Sequence, residues 1–249
     1  MVLYTDLAEY YFSIESNTRT ISNDISFIRQ FVPMQQTAQL LDLGCGTGEH
    51  LNLLSREGFH CKGIDSSCEM IRFAKKRNPN IDFEVLDMTN FDFYEKFDVI
   101  VSLFGSFDYC VDEKDINSVL WNTRRALKPN SIAIFEIWNA LPILKIRKKE
   151  LSQVSTTYFD GKKIIRQRGF NVIEDNAFVA VRVDYRYEIY KGAEKDILND
   201  THIMRAYRED EFDKFVYENG FDVQAKFSST LKEPVKENSN RLIYVIKKY

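Results

Sequence analysis

The stretch Leu40-Leu41-Asp42-Leu43-Gly44-Cys45-Gly46-Thr47-Gly48 constrains this chain more than any other segment. The apolar run predicts a strand over Gln39–Leu43. Gly48–Arg56 then reads as a helix, with Leu51, Leu53 and Leu54 inward and Gly58 as its stop. A strand running through a glycine loop into a helix is the opening unit of a parallel α/β sheet. Glycine in such a loop allows positive φ and close approach of a ligand to the backbone. The helix N-terminus adds free N–H groups beside it. The spacing is G-x-G-x-G, not the G-x-G-x-x-G of the dinucleotide fingerprint, which disfavours a nicotinamide-dependent reductase.

Two further features fall where a nucleoside ligand needs them. Asp65 ends the next predicted strand, His60–Asp65, 21 residues after Gly44, and a carboxylate there can accept from both ribose hydroxyls. Asp87-Met88 ends a third strand, Ile81–Leu86, where an acceptor and an apolar wall suit an adenine edge. Between them Ser67–Asn78 reads as a helix opened by a capping box over Ser66–Glu69. Phe97–Phe104, a helix over Asp112–Leu127 and Ser131–Trp138 continue the alternation, so the successive strand ends share one carboxyl edge, where open α/β sheets bind ligands.

The pattern changes after Asn139. In Ala177–Tyr190, Val179, Val181, Val183, Tyr185, Tyr187 and Ile189 alternate with Arg182, Asp184, Arg186 and Glu188, predicting a long antiparallel strand with one wet face. Asp160-Gly161 is a hairpin signal, and turns are expected near Asp175-Asn176 and Lys191-Gly192. The expected organisation is a core over 1–140 and 206–249, interrupted by a three- or four-stranded antiparallel insertion over 141–205. Arg208–Asn219 is a helix stopped by Gly220, and Phe221–Ser228 with Leu242–Lys248 form a closing hairpin. Leu7–Ile14 and Asn23–Val32 read as helices within an N-terminal cover, 1–37.

Bulk properties exclude several classes. The net charge of −3 gives no global basic surplus for a nucleic-acid partner. No run approaches the ~18 apolar residues of a membrane span, and the N-terminus lacks a charged segment followed by an apolar run. The four cysteines (Cys45, Cys61, Cys68, Cys110) lack metal-ligand spacing and read as reduced thiols of a cytoplasmic protein. One local surplus stands out. Residues 141–170 carry eight Lys and Arg against two acids, a net of +6 that suits an anionic acceptor, RNA or simply a solvated outer face.

Leu41–Gly48, Gly63-Ile64-Asp65-Ser66-Ser67, Leu86-Asp87-Met88, Phe97-Asp98-Val99-Ile100 and Leu127-Lys128-Pro129-Asn130 resemble the successive motifs of class I S-adenosylmethionine-dependent methyltransferases. The resemblance implies a doubly wound, mostly parallel seven-stranded sheet with a C-terminal antiparallel hairpin, using S-adenosylmethionine and releasing S-adenosylhomocysteine. By that resemblance, Gly44, Cys45 and Gly46 back the methionyl part and Asp65 holds the ribose. Ser66 and Met70 help with ribose and adenine, Asp87 and Met88 meet the adenine, and Ser102 and Leu103 face the sulfonium. Ala8-Glu9-Tyr10-Tyr11 and the β insertion are similar to small-molecule N-methyltransferases acting on amines or amino sugars, which adds Tyr11 and Arg19 to the cofactor residues.

The catalytic side is less legible, because in-line displacement needs chiefly alignment and exclusion of water. The strand-four exit, Ser102–Tyr109, lacks an N-P-P-Y motif, and Cys110 follows Tyr109 rather than a proline. Tyr109, Tyr11 and His202 are the expected catalytic groups, with Glu136 and Trp138 further acceptor-site candidates; packing roles are the alternative for each. The expected acceptor is a small molecule, and the insertion is either its lid or a homodimer surface. Methylation of RNA or protein, and a non-catalytic sensor of the cofactor, stay open on sequence alone.

Overall fold

The computed structural model describes residues 1–16, 20–32 and 38–249. In chain order the elements are α1 (Tyr11–Glu15), α2 (Ile21–Arg29), β1 (Gln39–Leu43), α3 (Glu49–Arg56), β2 (His60–Asp65), α4 (Cys68–Arg77), β3 (Asp82–Val85) and β4 (Phe97–Ser102). There follow α5 (Glu113–Ala126), β5 (Leu127–Trp138), α6 (Ala140–Ile146), β6 (Lys148–Phe159), β7 (Lys162–Glu174), β8 (Val179–Lys191), β9 (Glu194–Ala206), α7 (Glu209–Glu218), β10 (Phe221–Phe227) and β11 (Arg241–Lys248).

A seven-stranded sheet runs β10-β11-β5-β4-β1-β2-β3, and β6-β7-β8-β9 form a separate four-stranded antiparallel sheet. In the large sheet β11 is antiparallel to both β5 and β10, whereas β1 pairs parallel with β2 on one side and β4 on the other. The strand order therefore reverses at β1, and the crevice at its carboxyl end is the place such sheets offer a ligand.

Adjacent residues of the central strands point to opposite faces and both faces are covered, which is why these strands read as continuous apolar runs. Leu41, Leu43, Ile100 and Phe135 pack with Ile116 and Leu120 of α5 and Phe212 of α7. Leu40, Val99, Val101 and Ile134 pack with Ile25 of α2, Leu51 and Leu54 of α3 and Ile71 of α4. Each aliphatic side chain so enclosed contributes about 1.5–3 kcal/mol. A third cluster joins Val179, Val181, Val183 and Tyr187 of β8 to Leu3, Leu7, Tyr10 and Ile14, so the N-terminal segment is packed against the second sheet. The alternation expected along β8 holds: its apolar residues face this cluster.

Several local expectations shift. Leu7–Ile14 is a 3-10 turn, Ala8–Tyr10, running into the five-residue α1, and α2 begins and ends earlier than its pattern suggests. The cap of α4 is Ser67, whose hydroxyl accepts from Met70 N–H; the residue three beyond it is Met70, so the box expected from Ser66 to Glu69 does not form. β5 starts at Leu127, with Asn130 at φ 62 and a register shift against β4, so Lys128-Pro129-Asn130 lies inside the strand rather than ahead of it. Helix α6 was not expected. It has seven residues, too few to show a helical period, and the Asn139 side chain caps it through Leu141 N–H.

Candidate active site

Gly44 (φ 75), Gly46 (φ 55) and Gly48 (φ 85) all adopt left-handed backbone between β1 and α3. At Gly44 a Cβ would lie 2.6 Å from the Ser106 side chain, and at Gly46 3.2 Å from the Tyr11 ring. The loop thus presents bare backbone between the strand-four exit and the N-terminal cover. Asp65, at the end of β2, organises it: one carboxylate oxygen accepts from Gly46 N–H (3.0 Å) and the other from Ser67 N–H (2.8 Å). Each oxygen keeps a second lone pair for a ligand. Burial raises its pKa while the two backbone N–H donors act against the rise.

A cavity of about 470 Å³ opens over this edge, lined by Gly44, Gly46, Asp65, Ser66, Asp87, Met88 and Ser106 below and by Tyr4, Tyr11 and Tyr109 above. That volume is in the range of small-ligand sites. A narrower recess of about 30 Å³ continues past Gly44 and Cys45 toward Asp42, Glu49, His50 and Leu103. Asp42 is pushed up to about 7, first by burial; His50 acts against this and Asp65 adds to it. The recess is thus lined by the carboxyl groups of Asp42 and Glu49, the latter paired with Arg77. His50 Nε2 lies 3.0 Å from Asp24 Oδ2 at its back.

Of the residues expected from the sequence, Gly44, Cys45, Gly46, Asp65, Ser66, Asp87, Met88, Leu103, Tyr11 and Tyr109 line one or other space. Met70 is buried behind the wall against Ala8 and Phe73, and the Ser102 hydroxyl donates to Leu43 C=O in the sheet. Arg19 lies outside the described residues. His202 is buried, and its Nδ1 lies 2.5 Å from Tyr109 Oη. Glu136 is also buried: it pairs with Arg241 and accepts from Phe104 N–H (3.2 Å). Phe104, at φ 58, is held in a conformation costly for a bulky residue, and this turns the strand-four exit across both spaces.

Tyr4, Phe104, Ser106 and Asp200 escaped sequence reasoning. Asp200 and His202 share a face of β9, and that i, i+2 spacing was the available signal. Among the described residues, four of the eight basic residues over 141–170 are ion-paired: Lys145–Glu237, Arg147–Asp175, Lys148–Glu150 and Arg166–Glu15. Among the described residues no helix is long and apolar enough to cross a membrane.

A reversed-order α/β sheet carrying a glycine loop, a carboxylate at the end of β2 and a cavity over both defines a class I methyltransferase fold. A family model described as a methyltransferase domain matches residues 40–130. A crystal structure of an S-adenosylmethionine-dependent methyltransferase from Clostridium acetobutylicum ATCC 824 superposes with a TM-score of 0.84 at 20% identity, over 98% of each chain. Among curated relatives, YqeM of Bacillus subtilis (strain 168), provisionally named a methyltransferase, is 25% identical over 232 residues, 86% of each chain. The dTDP-4-amino-2,3,4,6-tetradeoxy-D-glucose N,N-dimethyltransferase of Saccharopolyspora spinosa is 28% identical over 188 residues, 76% of this chain and 72% of that one. Residues 40–130 thus match a methyltransferase domain, and the fold is that of the class I S-adenosylmethionine-dependent methyltransferases.

Proposed function

We propose that the acceptor is a small molecule, an amine or hydroxyl compound, and that the amino group of a nucleotide-linked amino sugar is the favoured class. The observation that carries this is the roof of the cavity. It is built from the chain's own N-terminal residues and from the rings of Tyr4, Tyr11 and Tyr109, with the second sheet packed behind. A small acceptor fits under such a cover, whereas an RNA or a folded protein needs an open approach. The relative from Saccharopolyspora spinosa, named for an amino-sugar substrate, adds support.

S-adenosylmethionine supplies an electrophilic methyl on a positively charged sulfur. Asp65 accepts from the ribose hydroxyls, Ser66 stands beside it, and Asp87 with Met88 forms the adenine wall. Gly44, Cys45 and Gly46 present backbone to the methionyl part, while Asp42 and Glu49 complement its ammonium. Tyr11 and Phe104 exclude water, and Tyr109 faces the acceptor, with His202 behind it. The sheet within residues 141–205 packs behind the N-terminal cover and supports it.

Incubation with S-adenosylmethionine and dTDP-4-amino-2,3,4,6-tetradeoxy-D-glucose, followed by mass spectrometry, tests the reading. A methylated sugar nucleotide is expected. An inert amine, with S-adenosylhomocysteine still bound in calorimetry, removes the amino-sugar acceptor. A methylated RNA in a parallel incubation removes the small-molecule class.

A further inference from the structure

We propose that Tyr109, His202 and Asp200 form a proton relay that takes up the proton an acceptor must lose for methyl transfer. Tyr109 is the group that touches the acceptor, His202 receives the proton and Asp200 is a positioning residue. This rests on the reading of the 470 Å³ cavity as the transfer site.

The geometry is continuous from cavity to interior. Tyr109 lies in the 3-10 turn Phe107–Tyr109 after β4 and lines the cavity. Its hydroxyl is 2.8 Å from Tyr4 Oη and 2.5 Å from His202 Nδ1. His202 is 1% exposed, and its Nε2 lies 3.0 Å from Asp200 Oδ2, outside hydrogen-bond alignment. Such contacts commonly tighten only when ligand binds. Asp200 is held in turn: Oδ2 accepts from Leu3 N–H (3.0 Å) and Oδ1 from Thr201 N–H (3.1 Å). The rings of Tyr4 and Tyr185 enclose the imidazole, and Tyr187 stacks on Tyr185. Beyond them, Arg168 bonds Tyr185, and Arg166 pairs with Glu15.

Proton placement follows from these contacts. For Nδ1 to accept from Tyr109, Nε2 must carry the ring hydrogen, the tautomer that a carboxylate beside Nε2 selects. Burial pushes the Tyr109 phenol well above its ordinary value, so it remains protonated near neutrality and cannot serve as a phenolate base. It can take a proton only by passing its own onward. In the step, the acceptor N–H (or O–H) bond breaks and a new Tyr109 O–H bond forms. The former Tyr109 O–H bond breaks and a His202 Nδ1–H bond forms, giving an imidazolium whose Nε2–H faces the Asp200 carboxylate. No further reactant is required. An amine that arrives as ammonium must shed one proton before its lone pair can attack. Because Leu3 and Tyr4 hold two members of the relay, the N-terminal turn completes it.

The test uses kinetics with dTDP-4-amino-2,3,4,6-tetradeoxy-D-glucose and ¹⁵N spectra of histidine-labelled enzyme. Asp200→Asn and Tyr109→Phe should each lower kcat about 100-fold. Acceptor KM should move less than about threefold, and the pH dependence of kcat should change shape. S-adenosylhomocysteine affinity of Asp200→Asn should match wild type, which shows that the fold is intact. Unchanged kcat and pH profile in both variants overturn the relay. Should wild type leave this sugar unmethylated, the acceptor reading fails, and the spectra alone decide the relay. His202 as the Nε2–H tautomer, lost in Asp200→Asn, supports it; the Nδ1–H tautomer in wild type overturns it.

Discussion

Asp42 stands inside β1 with 4% of its surface exposed, next to the bare backbone of Gly44. Its folded pKa of about 7 lies above the ordinary value of 3.8, chiefly through burial. A raised folded pKa means the native state binds the proton more tightly, so this contribution is full at acid pH and is lost as pH rises toward about 7. The loss is at most about 1.4 kcal/mol per pH unit. Asp42→Asn should therefore raise the Tm of ligand-free protein by an amount that grows between about pH 5 and 7 and then levels off. Thermal unfolding across that range checks it; a gain independent of pH would place the effect elsewhere. The residue was legible as part of a strand. Its charge state was not, because that depends on burial and on His50 and Asp65.

At the scale of elements, the glycine loop depends on how closely β2 approaches it. Gly63 sits in that strand with no space for a side chain: a Cβ would lie 2.7 Å from Cys45 Sγ, 2.7 Å from Leu51 Cδ1 and 2.8 Å from Phe83 Cδ1. Gly63→Ala should cost about 1–3 kcal/mol by overpacking. Since Cys45 belongs to the loop, S-adenosylhomocysteine affinity should fall with stability; denaturant melts and calorimetry read the two. Unaltered values for both would show that the loop relaxes freely. Elements with a clear period were legible: β1 and β2 occupy the residues their apolar runs predict. Asp160 (φ 47) and Gly161 (φ 71) make the hairpin turn their chemistry suggests. Short elements without a period were not. α6 and the break ahead of α1 are local choices made by packing and by single caps such as Asn139.

Across the whole molecule, the N-terminal segment joins the glycine-loop edge of the large sheet to the second sheet. Glu15 at the end of α1 pairs with buried Arg166 of β7, Lys162 donates to Tyr10 Oη, and the Thr157 hydroxyl donates to Ser13 C=O. At the other end, Ser67, which caps α4, donates from its hydroxyl to Tyr4 C=O. Removing one partner of a buried pair costs about 3–5 kcal/mol in a dry site, and less where water reaches it. Arg166→Ala should loosen this cover, so that limited proteolysis cuts within the N-terminal residues and S-adenosylhomocysteine binds more weakly. Arg166→Lys should fall between. An uncut N-terminus with unchanged affinity would show that the apolar contacts of Leu3, Leu7 and Ile14 suffice.

The sequence by itself determined the alternating sheet, its glycine loop, the carboxylate at the end of β2 and the wet and dry faces of β8. Each follows from periodicity or from backbone conformations that few residues permit, and both act over a handful of neighbours. Tertiary structure decided the rest: that Tyr4, Tyr109, His202 and Asp200 meet, with Leu3 and Asp200 bonded across 197 positions of chain. Such meetings depend on how one sheet and one N-terminal turn dock over an edge, and side-chain packing governs that at a range no local pattern records.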